Sequence, residues 1–165
     1  MTGRANAGPV NAVLNVYAFF VILLLCSGYA LAKGGAPERI AAAIMICGAI
    51  GSFIAINLGI AAGAERYFGV QRWTLTIDLA MLVAWVILAV WSTRFWPIWV
   101  AACQGLLVAT HLAAVATLIH PWAYWALQML WSYPVPIILA IGTYRHRKRL
   151  LRDGTDLSWK PSLRW

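Results

Sequence analysis

The run IAAAIMICGAIGSFIAINLGIAA, Ile40 to Ala62, decides the fold. It carries no charge over a length that matches the roughly 20 residues a helix needs to cross the hydrocarbon of a bilayer. Four more runs of similar length surround it: Asn11 to Ala32, Trp73 to Trp91, Pro97 to Ile119, and Trp122 to Gly142. None alternates with period two, so a closed barrel is excluded and helices must satisfy the backbone. Pro37, Pro97 and Pro121 each stand at or just before a span start, where a missing N–H costs nothing. The expectation is an all-α integral membrane protein, a compact bundle of five transmembrane helices. Residues 1–144 form one transmembrane domain and 145–165 a basic tail.

The connections are short, about ten residues at most, so no soluble catalytic domain fits between the spans. The formal charge of +8 does not point to nucleic acid, because most of it sits in one block: Arg145, Arg147, Lys148, Arg149 and Arg152. A basic block just after an apolar run anchors topology and meets anionic headgroups. Counting Lys and Arg with the tail inside gives ten inside against three outside (Arg4, Arg66 and Arg72). That bias predicts a cytoplasmic carboxyl terminus and a periplasmic amino terminus. Ala30-Leu31-Ala32 mimics a signal-peptidase site, but cleavage there would force the basic tail outside, so the first span is expected to be retained. Cys26, Cys47 and Cys103 lie within apolar runs at spacings that suit neither a zinc site nor a disulfide framework. No metal is predicted.

Small residues recur every four positions in the second span (Ala43, Cys47, Gly51, Ala55, Gly59, Gly63) and in the fourth (Ala101, Gly105, Ala109, Ala113, Thr117). Such stripes let membrane helices approach closely. Their partner is either the other stripe or another subunit. In the fifth span, Pro134 and Pro136 deprive the carbonyls of Leu130 and Ser132 of their helical donors and should kink the helix. Trp73, Trp91, Trp96, Trp99, Trp122 and Trp125 fall at the two membrane interfaces, as an aromatic belt requires. Trp85 and Trp131 sit deeper, where the indole N–H needs a partner or a ring ligand.

The intramembrane polar residues are Asn57, Asp78, Gln104, His111, His120 and Gln128, mostly in the half away from the tail. Ionisable groups at that depth are costly and read by default as functional. Asp78 is shallow enough to pair with Arg72 or Arg66, which is the structural reading. His111 reads first as a neutral imidazole hydrogen-bonded to a neighbouring helix. An axial ligand to haem or a chlorin is the alternative, although His111 and His120, placed on one helix, cannot ligate one haem from two sides. A third reading gives His111, Asp78 and Gln128 a role in moving protons or substrate through an outward-facing cavity. No HExxH, GxSxG or phosphate-binding loop is present.

Three strings carry a resemblance: Gly34-Gly35-Ala36-Pro37-Glu38-Arg39, Arg94-Phe95-Trp96-Pro97, and Trp131-Ser132-Tyr133-Pro134 with Ile141-Gly142-Thr143-Tyr144-Arg145-His146-Arg147. Together they resemble a group of short, uncharacterised inner-membrane proteins of bacteria, which implies a location and no activity. The first functional expectation is a non-enzymatic accessory subunit that packs through its stripes against itself or a larger complex. The alternatives are a small proton-linked carrier using Asp78, His111 and Gln128, and a haem- or pigment-binding component centred on His111.

Overall fold

The computed structural model describes residues 8–61, 72–116 and 120–160. They form six helices: α1 (Gly8–Lys33), α2 (Ala36–Ala61), α3 (Arg72–Trp91), α4 (Trp96–Ala116), α5 (Pro121–Ser132) and α6 (Pro134–Asp153). Helices α1 to α4 are each long and apolar enough to cross a membrane, and α5 with α6 makes the fifth crossing. The chain is a multi-pass, all-helical membrane bundle.

Tyr133, between α5 and α6, keeps helical angles (φ −62, ψ −39), so the backbone runs on through the junction. The hydrogen-bond ladder does not, because Pro134 and Pro136 offer no N–H to Leu130 and Ser132. The fifth span is therefore kinked where two alternate rungs are missing. At the far end, Pro121 occupies the first turn of α5 and the His120 ring accepts from Trp122 N at 3.3 Å. At the other end α6 stops at Gly154, whose φ of 72 is a left-handed value that favours glycine.

The kink divides the bundle. α1, α2, α3 and α4 pack in sequence, and α6 closes the ring by packing on α1, α2 and α4. Helix α5 packs on α4 and α6 only. The half nearer the tail is filled by Ala30, Ala41, Trp85, Val100 and Leu139, all fully buried. In the far half α5 stays beside α4, away from α1 and α2, and a space remains. Leu24, Leu25, Ile54, Val83 and Ile141 are exposed on the outer surface, where lipid chains would cover them. Lipid is as apolar as leucine, so close contact, and not exclusion of water, holds such helices together.

The small-residue stripes are only in part seams of this bundle. Helix α3 stands between α2 and α4, so the two stripes do not meet. Gly51 touches Ile77 and Gly105 only reaches Leu82, both on α3, and Ala55 is half-buried. Ala43, Cys47, Ala109 and Ala113 face outward. The surroundings of Gly59, and all of Gly63 and Thr117, lie outside the described residues. The face that α2 does bury is Ala41, Ala42, Met45 and Gly48, where any Cβ on Gly48 would collide with the sulfur of Met81.

Candidate functional site

The space left by the kink is a cavity of about 400 Å³ in the half of the bundle away from the tail, and all six helices contribute to its wall. Its lining is largely apolar, with one concentrated polar strip formed by Asp78 of α3, Gln104 and His111 of α4, and Tyr124 and Gln128 of α5. Spacing explains the convergence. Gln104 and His111 are seven residues apart, two turns on one face of α4, and that face meets α3 at Asp78.

The strip is a directed hydrogen-bonded chain. Gln104 Nε2 donates to Asp78 Oδ1 at 3.1 Å and lies 3.2 Å from the Asp78 carbonyl oxygen. His111 Nε2 lies 2.9 Å from Asp78 Oδ2. An ionised carboxylate only accepts, so this imidazole nitrogen carries its proton. The other ring nitrogen, Nδ1, is 2.7 Å from the Tyr124 hydroxyl, which donates when the ring is neutral and accepts when it is protonated. His111 is 1% exposed, so the centre of the chain is held away from bulk solvent. Two alternating arrangements of the same hydrogen bonds let a proton move between the cavity and the Asp78–His111 pair without moving a helix.

Each expected residue can now be placed. Asp78, Gln104, His111 and Gln128 are brought together, and the Gln128 amide nitrogen is buried with no hydrogen-bond partner among the described residues. Asn57 lines the cavity but donates to Phe53 O in its own helix, at 2.7 Å. His120 is exposed, has extended backbone (φ −58, ψ 133) and caps α5. This corrects the expectation that it ends the fourth span on one helix with His111. Asp78 is engaged by Gln104 and His111, while the Arg66 and Arg72 side chains lie outside the described residues. Both His111 nitrogens are engaged, so a haem or chlorin would have to displace Asp78 or Tyr124 to reach one. Among the described residues no group of three His, Cys, Asp or Glu is arranged to hold a metal ion. Trp125, assigned to the interface belt, lines the cavity instead.

A second polar assembly, at the tail end, was not expected. Glu38 in the first turn of α2 is fully buried, and its Oε1 faces Arg94 Nε at 3.5 Å and accepts from Trp96 Nε1 at 3.3 Å. The Arg94 Nη1 pairs with Asp156, which also binds Arg149 Nε at 3.1 Å. His146 Nδ1 lies 2.7 Å from Asp156 Oδ2 and 3.0 Å from Arg94 Nη2, and it can serve only one of them. The shorter approach to a carboxylate places the proton on Nδ1, so His146 serves Asp156 beside the Arg94 Nη1. Residues 154–160 fold back to make this contact. Thr93 N donates to Ser158 O at 3.3 Å and Lys160 N to Trp91 O at 3.0 Å. The three strings quoted for the resemblance supply Glu38, Arg94, Trp96 and His146, all within this assembly. Of the basic block, Arg145, Arg147 and Lys148 are exposed, Arg149 is engaged by Asp156, and Arg152 pairs with Asp153 at 2.8 Å.

Two expected results follow from this end of the molecule. A Cβ on Gly142 would stand 2.6 Å from Cδ1 of Trp96, whose ring is tethered to Glu38 and cannot retreat freely. Gly142→Val should cost about 1–3 kcal/mol by overpacking, read as a lower thermal midpoint in detergent. An unchanged midpoint would show that the Trp96 ring yields. Burial opposes ionisation of Asp156, but hydrogen bonds from Arg94, His146 and Arg149 outweigh it and hold the carboxyl below the usual carboxylate range. A carboxyl depressed on folding stabilises above its unfolded value near about 4, and that contribution is lost as pH falls through the folded value. A spin label at Ser158 should therefore stay immobile from neutral pH to mild acid and become mobile only below about pH 4. Release near neutral pH would contradict this assignment.

Comparison with protein-family models, curated proteins and solved structures gave no match for this chain.

Proposed function

We propose that the protein is a small proton-linked carrier of the bacterial inner membrane, with the cavity as its binding site. The Asp78–His111–Tyr124 chain is its proton-handling group. The observation that carries this reading is the placement of that chain on the wall of a 400 Å³ cavity. A buried ion pair kept only for helix packing would have no need of an adjoining space. The excess of Lys and Arg at the tail end supports a cytoplasmic tail, which puts the cavity in the periplasmic half. The resemblance of the three strings to bacterial inner-membrane proteins supports the location. The Glu38–Arg94–Asp156 assembly then lies across the cytoplasmic exit, where a carrier needs a closed gate when it is open on the other side.

The accessory-subunit reading keeps one observation in its favour: Ala43, Cys47, Ala109 and Ala113 face outward and could receive another helix. One experiment separates the two. In a deletion strain with a scored phenotype, Asp78→Asn and His111→Gln should fail to complement, while Ala43→Leu and Ala109→Leu should succeed. If the outward leucines fail and the cavity variants complement fully, the protein is a packing subunit and the carrier reading is wrong.

A further inference from the structure

The chemistry of the cavity wall goes further than carriage in general. We infer that the cavity takes a lipophilic monocation, an aromatic or quaternary amine in type, which binds against Asp78 in exchange for the proton on His111. This rests on the carrier reading above and names its substrate class.

Charge comes first. Among the described residues lining the cavity, Asp78 is the only carboxylate and none is Lys or Arg. The lining residues of α1, α2 and α6 bring no titratable group, so the groups facing the pair are Asp78 on α3, His111 on α4 and Tyr124 on α5. An anion would meet a carboxylate with no fixed cation to offset it. A neutral ligand would leave the pair as it is. A cation can replace the imidazolium as the partner of Asp78.

The remaining wall suits the rest of such a molecule. Phe19, Phe20 and Trp125 line the cavity, and aromatic rings attract cations more strongly where water is excluded. Met45 and Met81 supply an adaptable surface that fits ligands of differing outline. The Gln128 side chain, on the same wall as Tyr124, would donate from its amide nitrogen to an oxygen on the ligand. Asp78 lines the cavity and its side chain is 10% exposed, so a ligand can reach it there.

The exchange balances in charge and protons. When the His111 ring is protonated, Nε2–H faces Asp78 and Nδ1–H faces Tyr124. As the cation settles beside the carboxylate, Nδ1 passes its proton to the Tyr124 oxygen, and the hydroxyl proton of Tyr124 leaves through the cavity. One positive charge enters, one leaves, and no other bond is broken.

The test uses the full-length protein in nanodiscs with tetraphenylphosphonium as the cationic probe and menadione as a smaller neutral ring compound. Tetraphenylphosphonium should bind saturably, read by quenching of tryptophan fluorescence, and release about one proton per cation into a weakly buffered solution. Its affinity should fall as the solution is acidified, and Asp78→Asn should weaken it at least about tenfold, the loss of one charge-assisted contact. Because that variant also removes an internal hydrogen bond, the proton count on the unmutated protein stands as an independent reading. Binding without proton release, or binding unaffected by Asp78→Asn, would overturn the inference. Saturable binding of menadione with none of the cation would overturn it while leaving the carrier reading intact. The carrier reading fails separately, if the cavity variants complement in cells.

Discussion

Arg94→Met should destabilise the protein by about 3–5 kcal/mol, the cost of leaving buried charge uncompensated. The guanidinium side chain is 3% exposed and stands between two carboxylates, Glu38 on one side and Asp156 on the other. Methionine fills comparable space but supplies no donor, so both carboxylates lose their principal counter-charge at once. Glu38 is the more exposed to this loss in energetic terms, because its Oε2 already has no hydrogen-bond partner among the described residues. The effect should be strongly non-additive. Glu38→Gln combined with Arg94→Met should cost less than the sum of the two single changes, since removing one buried charge relieves the other. Thermal or denaturant unfolding in a mild detergent reads both numbers. A loss below about 0.5 kcal/mol for Arg94→Met, the range of an ordinary surface change, would mean that water reaches this cluster and that the returning tail does not seal it.

Asp78→Asn should have the largest effect on function. Asparagine matches aspartate in size and can still accept from Gln104, so the fold should persist. Its amide cannot hold a negative charge beside His111, and its N–H₂ group must either face the His111 Nε2–H or drive the ring to the other tautomer. Each charge-assisted hydrogen bond of this kind contributes roughly 1.5–3 kcal/mol, so any step depending on the charge should slow about 10- to 100-fold. Complementation by Asp78→Glu, with the charge kept and the geometry shifted, should be partial. Full complementation by Asp78→Asn would remove Asp78 from any functional role.

The sequence and the structure agree where the physics is local. A run of about 20 apolar residues has one stable arrangement in a bilayer, so the five crossings were legible, although the fifth helix runs past Gly142 to Asp153. The fifth-span kink was legible too, because proline's missing N–H acts wherever it sits in a helix. Its consequence was not. That the kink leaves α5 beside α4 and opens a cavity depends on which helices neighbour it, and no single span records that.

The same division runs through the candidate site. Gln104 and His111 share a helix face, and Asp78 and Gln128 fall at similar depth, so their proximity could be anticipated. Tyr124 was missed because a tyrosine between Trp122 and Trp125 reads as part of the interfacial belt. The tail-end assembly was missed for a related reason. Glu38 opens α2, Arg94 lies between α3 and α4, His146 lies within α6 and Asp156 follows it, so nothing in the sequence sets them side by side. One signal was available: only five acidic residues stand against thirteen Lys and Arg, so any carboxylate near a span end has cations to choose from. The stripes show the opposite failure. Their spacing is conspicuous, yet Ala43, Cys47, Ala109 and Ala113 turn away from the bundle, because periodicity defines a face without saying what it meets.

The most direct measurement is the ¹⁵N spectrum of the His111 ring in lipid bilayers at neutral pH, in the unmutated protein and in Asp78→Asn. The chain running from Tyr124 through His111 to Asp78 predicts a proton fixed on Nε2 with a strong hydrogen bond, and a marked shift of that resonance when Asp78 is changed. Interconverting tautomers in both proteins, with no response to Asp78→Asn, would show that the two side chains do not form the pair on which the cavity's chemistry depends.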